Sequence, residues 1–220
     1  MADRKDTELL IAKLTAEYGE EKTSKLVSYI DMVLERNEHI NLTAVRDRDE
    51  AMQKHLADSL LITSLPEYRN AEKIIDVGTG AGFPGAILAI ADPEKEFVLL
   101  DSTLKRLRVI DEFAEKLEIC NLRTVHARAE EISRKEGYGE SFDLCVSRAV
   151  ASLDKLSGWC LPFVRKEGFF IPYKGENYDG EITAAGKALK KFRGRIDRVV
   201  EPEEAAGDIS GHVFLVIRKY

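Results

Sequence analysis

The stretch IIDVGTGAGFPGAIL, Ile74 to Leu88, sets Gly78, Gly80, Gly82 and Gly85 between an apolar run and a helix-like segment. Glycines this dense belong where the backbone turns with positive φ or lies against a ligand with no Cβ between them. A strand entering such a turn and a helix leaving it present backbone amides to a bound small molecule. The surrounding residues decide which molecule.

A nucleoside-triphosphate cradle is excluded, because it ends in Gly-Lys-Ser/Thr and this turn continues as Gly85-Ala86-Ile87. Gly80, Gly82 and Gly85 satisfy G-x-G-x-x-G, and Asp101 follows Gly82 by 19 residues, about where a ribose-binding carboxylate belongs, so an NAD-dependent oxidoreductase stays open. Two details count against it. The first glycine after the strand is Gly78, two residues ahead of that match, and Asp76 adds a carboxylate at the mouth of the turn. At roughly 4 to 6 Å a half-buried carboxylate repels phosphates by several kcal/mol and attracts a cation. S-adenosylmethionine carries no phosphate, an ammonium and a cationic sulfur. D-x-G-x-G-x-G from Asp76 to Gly82, with an acid closing the next strand, resembles the Rossmann-like class I methyltransferases. On that template Gly78 and Gly80 admit backbone beside the methionyl part, Phe83 packs near the donor, and Asp101 accepts hydrogen bonds from both ribose hydroxyls.

Outward from the turn, the chain divides in two. From Lys73 on, KIIDV, FVLLD, LRTVHA, FDLCVS, GFFIPY, RIDRVV and HVFLVI are seven strand candidates, the first four separated by helix-like segments. That alternation predicts an α/β fold with a mostly parallel seven-stranded sheet. The connection between the last two strands, EPEEAAGDISG, is too short for a crossover helix and predicts an antiparallel final pair. Upstream, Leu10, Leu14, Leu26, Tyr29, Ile30, Val33 and Leu34 recur at helical spacing, and a third helix is expected over about Asp49 to Leu65. The expected domains are an N-terminal helical cap, 1–68, and a methyltransferase domain, 69–220.

Composition sets the class. The 220 residues are 44% hydrophobic and 33% charged, ordinary for a globular protein, with no leader-like opening and no apolar run long enough for a bilayer, so a soluble cytoplasmic protein is expected. Cys120, Cys145 and Cys160 form no CxxC pair, which predicts neither disulfides nor a metal site. The net charge of −6 runs against binding of naked polyanion, yet GKALKKFRGRIDR, Gly186 to Arg198, holds six basic residues and one acid, and Lys105, Arg106 and Arg108 form a second cluster. Either cluster alone reads as a solvated face; together they permit a local phosphate-facing track.

RAEEI after the third strand, SRAVASL after the fourth and YKG after the fifth fall at carboxyl ends of parallel strands, where open α/β sheets bind ligands. With NEHINLTAV and KHLADSLL upstream, they make the chain, from about Asn37 to Gly175, resemble the RsmG (GidB) family of bacterial 16S ribosomal RNA guanine-N7 methyltransferases. The resemblance implies S-adenosylmethionine as donor, guanine 527 of the 530 loop as target, and 16S RNA within the small subunit or an assembly intermediate as partner, with the enzyme monomeric. It implies Ala129 and Glu130 at the adenine, and Arg148 at the cofactor or target nucleotide, where a structural ion pair is the alternative. Lys174 is expected at RNA phosphate or guanine O6, with Lys105, Arg106, Lys190 and Lys191 as the RNA track. His55 and Asp58 are expected to contact each other within the cap, and Asn41 either to cap its helix or to reach the pocket. N7 carries an in-plane lone pair and no proton, so catalysis by positioning is expected. A methyltransferase acting on another substrate, or a non-catalytic binding module, remains open on the sequence.

Overall fold

The computed structural model describes residues 4–175, 177–201 and 212–220. Seven strands form one sheet: β1 (Lys73–Val77), β2 (Glu96–Asp101), β3 (Leu122–His126), β4 (Phe142–Arg148), β5 (Val164–Lys174), β6 (Gly194–Val200) and β7 (Val213–Lys219), in the order β3-β2-β1-β4-β5-β7-β6. The pairs β2/β3, β1/β2, β1/β4 and β4/β5 are parallel. β7 runs against both neighbours and is inserted between β5 and β6, so the expected antiparallel final pair is present. The order in which strands are laid down across the sheet reverses between β1 and β4, leaving a crevice at the carboxyl ends of these strands.

Near-continuous apolar strands such as β2, buried from Phe97 to Asp101, need cover on both faces. One face receives α6 (Gly85–Ala91) and α7 (Leu104–Lys116), and outside them the N-terminal helices α1 (Arg4–Tyr18) and α2 (Glu20–Asn37). The other receives α8 (Ala129–Ile132), α9 (Leu153–Cys160) and α10 (Tyr178–Lys191). Leu26, Tyr29 and Ile30 of α2 share one buried cluster with Ala86, Leu88 and Phe113, so the N-terminal helices and the sheet domain have a common core. Among the described residues no helix is long and apolar enough to cross a membrane.

The third N-terminal helix is not uniform. α3 (Arg48–Ala51), N-capped by the Asp47 side chain on the Glu50 amide at 2.9 Å, runs into a π-helical turn, Met52–Ala57, then α4 (Asp58–Leu60) and a 3-10 turn, Leu61–Ser64. Pro66 opens a further short helix, α5 (Pro66–Arg69). In the π turn the Asp58 amide bonds to the Gln53 carbonyl, one residue further back than in an α-helix. The Lys54 carbonyl is thereby left to accept from another element.

Candidate active site

Strand β1 delivers the chain into the glycine turn. Gly80 (φ +60°) and Gly82 (φ +94°) both need left-handed backbone, and they face opposite constraints. A Cβ on Gly82 would stand 2.1 Å from the Tyr29 hydroxyl, which donates to the Ala81 carbonyl at 2.9 Å. A Cβ on Gly80 would meet nothing within 4 Å, because that side opens into the crevice.

Asp76 lies elsewhere than the sequence suggests. It is fully buried beneath the turn and is not among the residues lining the crevice. Its Oδ2 accepts from Thr79 Oγ1 at 2.7 Å and the Gly85 amide at 2.9 Å, fastening the two ends of the turn. Its Oδ1 is buried with no hydrogen-bond partner among the described residues. Burial outweighs those bonds and holds its pKa up at about 6. The repulsion argument against a dinucleotide therefore loses its direct geometry, since the carboxylate acts through the loop and not at the mouth. Asp101 is where expected, at the end of β2. Its Oδ2 accepts the Gly80 amide at 3.0 Å, its Oδ1 accepts the Thr103 amide at 2.8 Å, and Arg106 approaches Oδ2 at 3.8 Å.

The crevice encloses about 850 Å³. Gly78, Gly80 and Phe83 enter it from the glycine turn, Asp101 and Arg106 from the end of β2, Ala129 and Glu130 from the end of β3, and Arg148 from the end of β4. The N-terminal helices close the remaining side with Thr43, Lys54, His55 and Asp58.

Arg148 joins the two halves. Its guanidinium, 7% exposed, donates through Nη1 to Asp58 Oδ2 at 2.6 Å and to the Lys54 carbonyl freed by the π turn at 2.9 Å. It lies 5.4 Å over the Phe83 ring, and Nη2 reaches His55 Nδ1 at 3.4 Å. Asp58 holds His212 on its other oxygen at 2.8 Å. Burial pushes the Asp58 carboxyl up, but the His212 hydrogen bond and the Arg148 charge leave it, on balance, below the usual carboxylate range. Arg148 is thus in the ion pair that was its alternative reading, and it also lines the crevice.

His55 stacks on Phe83, centroids 4.6 Å apart and 15° from parallel. With Arg148 donating to Nδ1, the proton sits on Nε2 and donates to Thr43 Oγ1 at 2.7 Å. Burial, then the Arg148 charge, holds its pKa down at about 4, below the ordinary 6.5. Between pH 6.5 and about 4 the unfolded chain takes a proton at this position that the folded chain refuses, so His55 removes stability as pH falls, by up to about 3 kcal/mol. Asp76, raised to about 6, acts in the opposite sense over nearly the same window. Denaturant melts of wild type and His55→Phe at pH 7 and pH 4.5 isolate the histidine. The variant should lose less stability on acidification; equal losses would remove the neutral imidazole from the site.

His55 and Asp58 were expected to bond each other, and instead both turn to the sheet domain. Their signal, two polar residues one turn apart on an otherwise apolar helix face, was legible in KHLADSLL. Thr43 and Val150, which lie within NEHINLTAV and SRAVASL but were not singled out, also line the crevice, as do Trp159 and His212. Asn41 is exposed outside the lining; the neighbouring Asn37 instead braces the following loop, accepting the Leu42 and Thr43 amides and donating to the Thr43 carbonyl.

Lys174 does not line the crevice. It is 7% exposed and pairs with Glu181 of α10 at 2.6 Å while donating to the Ala151 carbonyl at 3.0 Å. Glu181 in turn accepts the Leu153 amide at 2.7 Å. The pair grips the loop that follows Arg148 and carries Val150, so the lysine expected at RNA holds backbone instead. Lys105 is exposed beside Arg106. Lys190 and Lys191 are exposed at the end of α10, which leads from the carboxyl end of β5 to the start of the parallel-running β6. That topology puts them at the opposite end of the sheet from the crevice.

Sheet order, crevice and glycine turn together define a Rossmann-like methyltransferase. Solved structures with this fold include a SAM-dependent methyltransferase from Aquifex aeolicus (TM-score 0.52, 17% identity, 77% of this chain and 92% of that one) and SAH-bound methyltransferase PaMTH1 from Podospora anserina (TM-score 0.54, 15% identity, 89% and 88%). The family model GidB, rRNA small subunit methyltransferase G, matches residues 22–205. The protein named Ribosomal RNA small subunit methyltransferase G from Clostridium tetani is 39% identical over 202 residues, covering 92% of this chain and 84% of that one. The chain belongs to the rRNA small subunit methyltransferase G family.

Proposed function

We propose that the protein transfers a methyl group from S-adenosylmethionine to N7 of a guanine in 16S ribosomal RNA, the guanine numbered 527 in the 530 loop, acting as a cytoplasmic monomer on the small subunit or its precursor. The residues present suit the donor. Gly80 leaves open the space a side chain would fill, Asp101 accepts one backbone amide on each oxygen and keeps lone pairs for ribose hydroxyls, and Asp76 fastens from beneath the turn that would receive the donor. Gly78, Phe83, Ala129, Glu130 and Arg148 complete the lining that would hold it. S-adenosylmethionine, when bound, supplies an electrophilic methyl group.

The observation that carries the N7 reading is that the titratable side chains around Phe83 and the glycine turn are already committed, while Glu130, the carboxylate of the lining without a bonded partner among the described residues, stands at the end of β3 where the adenine is expected. Asp58 is held by Arg148 and His212, Asp101 by two amides, and the basic nitrogen of His55 faces Arg148. Removing a substrate proton would require a free base at the reacting atom; N7 of guanine has no proton to remove. What the chain supplies is placement. The Phe83–His55 stack and the guanidinium above it form a rigid wall against which a planar base fits, and the cations of Arg106 and Arg128 at the rim suit RNA phosphate.

The test is incubation with labelled donor and unmethylated small subunits or free 16S RNA, followed by mapping of the modified base. Label at a guanine N7 in the 530 loop is expected. Label at a ring carbon or an exocyclic amine would overturn the assignment, and binding of NADH in place of the donor would overturn the cofactor.

A further inference from the structure

A second cavity of about 620 Å³ opens on the α8–α9–α10 face of the sheet. It shares two wall residues with the crevice, Glu130 and Trp159, the chain's single tryptophan. From that junction it runs between Arg134 and α9 to the end of α10, where Lys191, Phe192 and Arg193 form its far wall. Close packing builds this wall, since a Cβ on Gly158 of α9 would stand 3.2 Å from the Phe192 ring.

Its charge is unusual for this chain. Arg134, Lys155, Lys191 and Arg193 all line the groove and are exposed, and none makes an ion pair within 4 Å among the described residues. Elsewhere most arginines are paired, as Arg36 is with Glu112, Arg165 with Asp143 and Arg198 with Glu67. Of the acids facing the groove, Glu140 is paired with Lys219 at 2.9 Å and also feels Arg193, and Asp154 feels Lys155, so with Glu130 the acids remain outnumbered by the four cations. Lys191 sits 5.3 Å over the Phe192 ring, which orders an ammonium that has no carboxylate. In a protein of net charge −6, four cations along one concavity, none in an ion pair within 4 Å among the described residues and outnumbering the groove's acids Glu130 and Asp154, make a local anion track.

We propose that this groove carries the RNA strand on one side of the target base, its phosphodiesters on Arg134, Lys155, Lys191 and Arg193, with Trp159 as a stacking surface where the strand leaves the crevice. The inference rests on RNA being the substrate. It also gives Lys191 a route to the site: the residue is at the far end of the sheet from the donor turn, but at the end of a groove continuous with it. Lys190, outside the groove lining, is not part of the track.

Two measurements test this separately from the choice of target base. In the first, Trp159 fluorescence is titrated with a short single-stranded polyuridylate RNA at several salt concentrations, with S-adenosylhomocysteine saturating, for wild type, Lys191→Glu/Arg193→Glu and, on a different helix, Lys155→Glu. RNA should quench wild type, and the double variant should lose about 1.4 from the slope of log affinity against log salt, about 0.7 per lost phosphate contact. In the second, KM for unmethylated 16S RNA should rise about tenfold in the double variant, while calorimetry shows an unchanged dissociation constant for S-adenosylhomocysteine, which reports the fold. Unchanged salt slopes in both variants and an unchanged KM in the double variant overturn the groove and leave the methyltransferase reading standing. Loss of RNA slope in the variants, with no methylation of RNA by wild type, would sustain the groove and sink the target assignment.

Discussion

Replacing Asp58 with alanine should lower the unfolding free energy by about 3 to 5 kcal/mol, the cost of leaving one member of a buried ion pair alone. The carboxylate is completely buried, and it holds Arg148 at 2.6 Å and His212 at 2.8 Å. Removing it strands a guanidinium that is 7% exposed and leaves only the Lys54 carbonyl as its close acceptor. For a chain of this length that corresponds to a fall in melting temperature of roughly 10 °C. Methyl transfer should fall with it even at temperatures where the variant is folded, because Arg148 is then free to leave its place over Phe83. Asp58→Asn keeps the shape and loses the charge, so it should sit between the two. The depressed pKa of Asp58 sets the pH sense: its stabilisation is present above the unfolded value near 4 and is lost as pH falls through the lower folded value. A calorimetric melt of Asp58→Ala within a degree or two of wild type would falsify this account of the link between the helices and the sheet.

The second large effect separates two neighbouring glycines. Gly82→Ala should cost about 2 to 4 kcal/mol, because strained left-handed backbone adds to overpacking against Tyr29, whose hydroxyl is fixed on the Ala81 carbonyl. Gly80→Ala carries the backbone strain alone, about 1 kcal/mol, since its Cβ enters open space. That space is the crevice, so the same methyl group should weaken donor binding far more than it weakens the fold. Calorimetry with S-adenosylhomocysteine on the two variants gives the contrast. A Gly80→Ala protein with wild-type donor affinity would place the donor elsewhere.

The fold was legible because its causes are local. Alternating apolar runs and helical periodicities mark βαβ units whatever the rest of the chain does, and all seven strand candidates occur as strands. Gly80 and Asp101 were legible for a similar reason: a left-handed turn and an acid at a strand end are requirements written into one or two residues. Asp76 was found but misplaced, because spacing gives a residue's position along the strand and not the depth at which its side chain is buried. Lys174 was misread for want of Glu181, seven residues on, whose approach depends on how α10 packs. The partnership of Asp58 with Arg148 spans 90 residues and that with His212 spans 154, so periodicity could not reveal either. The π turn left no mark, since five- and four-residue hydrogen-bond spacing differ little in apolar pattern.

That turn has a consequence for how the enzyme tolerates change in length. A helix with one surplus residue is a local expansion held open by what donates to it, here the arginine that takes the Lys54 carbonyl. Excising any single residue between Met52 and Ala57 would let the helix close on itself, reclaim that oxygen and rotate everything before it by about 100°. Surface connections can gain or lose residues at little cost, but in this short segment the number of residues itself fixes where Arg148 is held.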